Sequence, residues 1–185
     1  YPASRDICAV GGIVANNAGG EKSLRYGKTE QYVEEVRMVL SDGNEYLFKS
    51  LTLDELEEKR KQDTFEGNIY KNIYTLINNN YDILRKAKPD VTKNSAGYYL
   101  WNVLDKRNKT FDLTKLIVGS QGTLGIITEI KFKLIVPEKY SRLLVIFLKD
   151  TKILAYVIRR ILKYKPESFE SYDDHTFKVA IKLFP

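Results

Sequence analysis

Two stretches of this chain are unusually bare. Residues 8–27 read CAVGGIVANNAGGEKSLRYG, with five glycines, five alanines and valines, and the adjacent pair Asn16-Asn17. Residues 119–125 read GSQGTLG. Glycine loses more backbone entropy on folding than any other residue, so such stretches destabilise a fold unless something offsets the loss. Two uses can: positive φ angles at turns and strand ends, or close approach of the backbone to a partner. The neighbouring residue types favour the second. Ser4, Asn16, Asn17, Ser120 and Thr123 are compact hydrogen-bonding groups beside amides that no large side chain covers, and such amides can form a concavity for an anion. A phosphate or a flat ring could reach the main chain there, which suits a nucleotide-like cofactor held between two loops. Neither stretch is a Walker-type phosphate loop, because no Gly-Lys pair opens a helix, and neither has the GxGxxG spacing.

Other chemistries lack their residues. One His and one Cys cannot build a Cys/His zinc site, nor a Ser-His-Asp or Cys-His site unaided. A single cysteine excludes an internal disulfide and fits a reducing compartment. Cys8, among small apolar residues, reads as a buried structural thiol, and His175 as a surface residue near a helix start. Tyr98, Tyr99 and Trp101 could stack on a ring but fit core packing better. The net charge of +6 could favour nucleic acid or an anionic cofactor. The lysines, however, are scattered through EEKRKQ, RKAKPD and KFKL, the pattern of a solvated surface. A basic nucleic-acid-binding α+β module is therefore the rival reading. It needs lysines and aromatics together on one exposed sheet face, whereas the alternating strands here gather aliphatics.

The 185 residues suffice for one domain with a core and part of another. No segment approaches the roughly 18 apolar residues of a membrane span. Residues 33–40 alternate with Val36, Met38 and Leu40 on one face. Ser41–Asn44 supply a turn, and the return strand aligns Tyr46 with Phe48, so a hairpin is predicted. TLDE, residues 52–55, is a capping box opening a polar helix. Ile69, Ile73, Leu76 and Ile77 form the stripe of a core-facing helix. Two short helices are predicted around residues 98–104 and after Asp112. In residues 126–134 the alternation puts Ile126, Thr128, Ile130, Phe132 and Leu134 on one side, and Ile127, Glu129, Lys131 and Lys133 on the other. After Pro137 a strand over 143–148, an amphipathic helix with Ile153, Leu154, Val157 and Ile161, a strand near ESFESYD and a helix starting at Asp173 or Asp174 are predicted, the opening of a second α+β unit.

YPASRDICAVGGIVANNAGGEKSLRYGKTEQYVEEVRMVLSDG resembles the start of the second FAD-binding subdomain of vanillyl-alcohol-oxidase-type flavoproteins. LIVGSQGTLGIITEIKFKL resembles that group's other hallmark, in matching order and at a plausible distance. The branch it is most similar to holds the D-lactate dehydrogenases and the glycolate oxidase D-subunits. The resemblance covers residues 1–137, and the rest is similar to the opening of the cap domain of that family.

The resemblance implies an α+β fold: an antiparallel sheet flanked by helices over residues 1–137, then a partial cap over 138–185. It implies FAD as cofactor. Pro2, Ala3, Ser4, Cys8, Val10 and the turn Gly11-Gly12 would line it. Ala15, Asn16, Asn17 and Ala18 would pass the diphosphate and flavin, and Gln121, Gly122, Thr123, Ile126 and Ile127 would meet the adenine end. Most donors would be backbone amides, with Ser4, Asn16 and Asn17 adding side-chain hydrogen bonds, while Arg25 and Tyr26 read as loop anchors. The implied reaction is hydride transfer from the hydroxyl-bearing carbon of a D-2-hydroxy acid, D-lactate or glycolate-like, to the flavin. The other implied partners are the first FAD subdomain and a C-terminal substrate domain of the same protein. Without them this stretch is expected to be inactive, an excerpt of a longer chain. Neither nucleic acid nor a membrane span is expected, and the expected location is the cytoplasm or the inner membrane face. No catalytic base and no metal ligand is assigned. Gln121 stands where the family usually has Glu, the segment 50–112 is longer and more helical than in the simplest members, and Lys93–Trp101 (KNSAGYYLW) is similar to a K-N-x-x-G-Y element of the branch. A non-catalytic subunit that keeps the fold without the chemistry is the remaining alternative.

Overall fold

A computed structural model describes residues 2–91, 94 and 97–184. Five strands form one sheet: β1 (Val33–Val39), β2 (Glu45–Thr52), β3 (Leu104–Asp105), β4 (Thr110–Asp112) and β5 (Ile126–Phe132), in the order β3-β4-β2-β1-β5. Every pairing is antiparallel. The hairpin of β1 and β2 forms as its sequence dictates, with Val36 opposite Phe48 and Met38 opposite Tyr46. Its turn closes through Leu40 N to Asn44 O at 3.1 Å, and Gly43 takes φ +81°.

Helices cover the sheet. The capping box opens α3 (Leu53–Arg60): the Thr52 hydroxyl accepts from Glu55 N at 3.2 Å, and Thr52 N donates to the Glu55 carboxylate at 2.8 Å. That ties two otherwise unpaired amides to one four-residue motif. Helix α4 (Phe65–Asn79) lays Tyr70 and Ile77 into the core, with Ile69 and Ile73 packed beside them, while Leu76 stays exposed. Its start crosses α3 so closely that a Cβ on Gly67 would lie 2.2 Å from Gln62 O and 2.9 Å from Lys59 O. Behind it comes α5 (Tyr81–Ala87). The helix predicted around residues 98–104 is a single 3-10 turn, Leu100–Asn102, where Tyr99 stacks on Trp101 with centroids 5.1 Å apart. Asp112 starts α6 (Thr114–Ile117) by accepting from Thr114 N at 2.9 Å.

Phe111, fully buried on β4, is the hinge of the core. Tyr70 lies at 6.2 Å and Tyr74 at 6.0 Å between ring centroids, and Phe48 follows at 6.3 Å from Tyr70. Tilted and edge-on rings at such distances add attraction to the area they remove from water. Burial pushes the Tyr70 phenol far above its ordinary range.

Strand β5 departs from its own alternation. Arg37 pairs with Glu129, yet Met38 pairs with Ile127, so Thr128 is an extra residue in a bulge. The bulge flips the faces: Ile127 joins Ile130 and Phe132 against the core, while Ile126 and Thr128 point to solvent. The predicted line of Ile126, Thr128 and Ile130 is corrected by that one inserted residue.

The chain divides into two compact units, Tyr1–Ala18 with Lys28–Val136, and Gly19–Gly27 with Pro137–Pro185. In the second unit the strands expected over 143–148 and near 167–173 do not form, since neither segment has a neighbouring strand to bond. Helix α7 (Leu154–Leu162) forms as predicted and shelters Leu154, Val157 and Ile161 on one face, and α8 (Asp174–Leu183) is capped by Asp173. The short helix α2 (Ser23–Tyr26) is tied in by ions. Glu167 accepts from Lys22 at 2.9 Å and from the Tyr26 hydroxyl at 2.8 Å, and Arg25 pairs with Glu138. Arg25 and Tyr26 thus act as anchors. The hydrogen bond from Lys22, and then that from Tyr26, hold the Glu167 carboxyl below its ordinary 4.5.

Two outcomes follow from this packing. Phe111→Ala is expected to cost about 3–5 kcal/mol, read as a lower urea midpoint. A depressed carboxyl pKa stabilises the fold above its unfolded value and loses that contribution as pH falls through the folded one. Glu167→Gln should therefore lower the thermal midpoint at neutral pH, and the gap should close below about pH 4.5. A gap that persists unchanged at pH 3 would contradict the pairing.

Candidate functional site

Within the first unit, residues 8–18 of the first bare stretch lie beside the second, residues 119–125. Residues 2–8 run through turns closed by Arg5 N to Pro2 O at 3.1 Å and Ile7 N to Ser4 O at 2.9 Å. They lead into α1 (Val10–Ala15). Gly11 and Gly12, expected in a turn, are instead the second and third residues of this helix, and neither has positive φ. Small residues at 9–12 permit a short helix where Ala9 provides no side-chain cap. Its first-turn amides therefore have no intrahelical acceptor.

Across from α1 runs the loop of residues 118–125. Gly119 N donates to Val14 O at 3.0 Å, and Gln121 N donates to Ala15 O at 2.8 Å. The Gln121 amide adds a bond to Asn16 Oδ1 at 3.1 Å. Gln121 and Gly122 have φ of +57° and +74°, and Thr123 N returns to Ser120 O at 3.1 Å. Two consecutive positive φ values with that closing bond make a type I′ turn. Glycine at 122 answers the conformation, whereas Gln121 is strained there, at a cost on the order of 1 kcal/mol. Its bonds to Ala15 and Asn16 hold it in place.

The glycines then separate by cause. Gly119 (φ +87°) and Gly125 (φ +157°) are demanded by conformation, and a Cβ on Gly125 would also lie 2.5 Å from Val39 O. Gly11 faces Ile127, where a Cβ would sit in ordinary contact at 3.8 Å. Gly12 is different. Its φ is ordinary for a helix and nothing stands within 4 Å of a Cβ built on it. Neither backbone conformation nor packing inside this structure requires glycine at 12, although glycine weakens a helix by about 1 kcal/mol relative to alanine.

The remaining predicted residues sort by exposure. Ala3, Ser4, Val10, Asn16, Gln121, Gly122, Thr123 and Ile126 are exposed, Cys8, Ala15, Ala18 and Ile127 are half-buried, and Pro2 and Asn17 are buried. Asn17 has its own work. At φ +46° and 3% exposure, its amide donates to the Glu30 carboxylate and its Oδ1 accepts from Glu30 N at 3.0 Å. Both ends of the side chain expected to meet the cofactor are thus engaged within the protein. The Tyr98 hydroxyl shares a hydrogen bond with the Thr123 hydroxyl at 2.5 Å, placing a part-exposed ring beside the turn where core packing was expected. In the Lys93–Trp101 element, Lys93, Ser95 and Ala96 lie outside the described residues. Glu30, which no motif singled out, is the partner that sequence reasoning missed; its only signal is a carboxylate next to a small 3-10 turn, Thr29–Gln31. His175 is exposed in the first turn of α8. Among the described residues, no His, Cys, Asp and Glu cluster could hold a metal ion, and no helix is long and apolar enough to cross a membrane.

Comparison with known proteins bears on the family of the chain. Residues 1–46 match the FAD binding domain family. Over 134 residues the chain is 33% identical to D-2-hydroxyglutarate dehydrogenase of Escherichia coli (strain K12), covering 72% of this chain and 13% of that protein. It is 27% identical over 180 residues to glycolate oxidase subunit GlcD of Bacillus subtilis (strain 168), covering 96% and 27%. It is 30% identical over 133 residues to D-lactate dehydrogenase of Anaerostipes hadrus, covering 72% and 17%. These matches support the FAD-linked oxidases, in the branch similar to D-lactate dehydrogenase and the glycolate oxidase D-subunit, as the group this chain resembles, and the family match supports FAD as the cofactor. It spans about an eighth to a quarter of the length of these relatives.

The glycine analysis gives a matched pair of outcomes. Gly12→Ala should stabilise the cofactor-free protein by about 0.4–1 kcal/mol, whereas Gly67→Ala should destabilise it by about 1–3 kcal/mol. Denaturant titration of both variants checks the contrast, and a Gly12→Ala protein that is clearly destabilised would mean an internal neighbour had been overlooked.

Proposed function

We propose that residues 1–137 form one wall of an FAD site in an oxidoreductase acting on a D-2-hydroxy acid, with residues 138–185 opening a cap over the substrate. The observation that carries this reading is Gly12, a helical glycine facing open space beside a strained type I′ turn. A bare helix face and a bare turn, pinned together by Gly119 and Gln121, fit a flat, extended, anionic group that comes into contact with main chain. Pro2, Ala3, Ser4, Cys8, Val10, Gly11, Gly12, Ala15, Asn16, Ala18, Gln121, Gly122, Thr123, Ile126 and Ile127 are the proposed lining, with Asn17 acting through its backbone.

When bound, FAD supplies the acceptor for the two electrons and hydrogen that leave the hydroxyl-bearing carbon of the substrate. This chain's residues do the work of holding. The amides of the first turn of α1 offer donors to negative charge, and Gln121, at the proposed adenine end, is held by its bonds to Ala15 and Asn16. The relatives support the substrate class: D-2-hydroxyglutarate, glycolate and D-lactate, after which they are named, are all 2-hydroxy acids.

The test is spectroscopic. The complete protein, purified and mixed anaerobically with D-2-hydroxyglutarate, D-lactate or glycolate, is expected to show flavin absorbance that bleaches with one of the three. Flavin bands that none of a panel of 2-hydroxy acids bleaches would remove the substrate class, and a protein that takes up no FAD would remove the site.

A further inference from the structure

We infer that Glu30 is a positioning residue for the cofactor site: it fastens both bare stretches from outside either of them, and the inference rests on the flavin reading above. Its carboxylate accepts from the Asn17 amide and its backbone N–H donates to Asn17 Oδ1 at 3.0 Å, so one residue satisfies both ends of a buried side chain. Next to it Thr29 grips Ala18 twice, with N to Ala18 O at 3.2 Å and Oγ1 to the same oxygen at 2.7 Å. The segment 14–18 is thereby held against the 3-10 turn.

The other stretch is held through the same residue. Lys115, on α6, donates from Nζ to Glu30 O at 3.0 Å. Helix α6 runs directly into Val118 and Gly119, and a Cβ on Gly119 would lie only 3.4 Å from Asn17 Cβ. Glu30 therefore meets Asn17 through its carboxylate and backbone N–H, and Lys115, on the helix that precedes the 118–125 loop, through its carbonyl. A hydrogen bond between a buried amide and a carboxylate is stronger than a neutral one, and removing the carboxylate takes from the Asn17 amide its charged acceptor. Asn17 sits at positive φ, a conformation that persists only where its surroundings hold it. Without the Glu30 carboxylate, the segment Val14–Ala18 loses one of the side-chain contacts that back its bonds to the turn at Gln121.

The test compares the complete protein with its Glu30→Ala and Glu30→Gln variants by two readouts. The first is hydrogen exchange of the Gly119 and Gln121 amides without FAD; the second is the dissociation constant for FAD by fluorescence quenching. Glu30→Ala is expected to speed exchange at both amides while α4 stays protected, and to weaken FAD binding by about 10- to 100-fold, the loss that goes with a charge-assisted hydrogen bond. Glu30→Gln keeps an acceptor for Asn17 and is expected to recover most of both. Wild-type protection of the two amides in Glu30→Ala would overturn the inference. So would a loss of protection spread equally over α4, or faster exchange with unchanged FAD affinity. Faster exchange confined to the two amides, in a protein that binds no FAD even as wild type, would uphold the positioning role and bring down the flavin reading instead.

Discussion

Two backbone hydrogen bonds set the terms for the rest of the site. Gly119 N to Val14 O and Gln121 N to Ala15 O join segments about 105 residues apart in the chain. Backbone hydrogen bonds of ordinary length do not themselves demand small side chains; glycine is demanded at 119 by a φ of +87° and at 125 by a Cβ that would lie 2.5 Å from Val39 O. The backbone entropy that glycine forfeits must be offset elsewhere in the fold. A larger side chain at 119 would collide with Asn17, and one at 125 with Val39 and Met38.

The sheet and helices exist, from this viewpoint, to hold those strips in register. Strand β5 leaves the loop directly and pairs with β1, so any slip of the sheet would carry residues 119–125 with it. The bulge at Thr128 turns Ile127 inward beneath Gly11, packing α1 onto the strand. On the far side the ring cluster of Phe48, Tyr70, Tyr74 and Phe111 fixes α4 to β2 and β4. Rigid elements carrying a bare surface are what a preorganised cofactor site needs. Charge is peripheral to this arrangement: Lys59, Lys61, Lys131 and Lys178 pair with carboxylates on the surface, as a solvated lysine-rich face would.

Much of this was legible in the residues. The hairpin, the capping box at Thr52 and Glu55, the stripe of α4 and the two glycine clusters each have a local cause, and the structure contains each. What was not legible depended on partners distant in sequence. Alternation in residues 126–134 cannot announce a bulge, because the extra residue is defined by the register of β1. Apolar runs such as 143–148 have strand composition, but a strand exists only beside another strand. Gly11 and Gly12 looked like a turn because glycine usually marks one; here bareness serves a surface while the backbone stays helical. Asn17 looked like a ligand donor since Asn often is one, and only the fold shows Glu30 occupying it.

The most direct measurement is a crystal structure of the complete protein with FAD. The account predicts a cofactor atom within about 4 Å of the Gly12 Cα, the range of van der Waals contact, with the turn at Gln121 and Gly122 on the same face. FAD bound elsewhere, with Gly12 open to solvent or covered by another part of the protein, would contradict it.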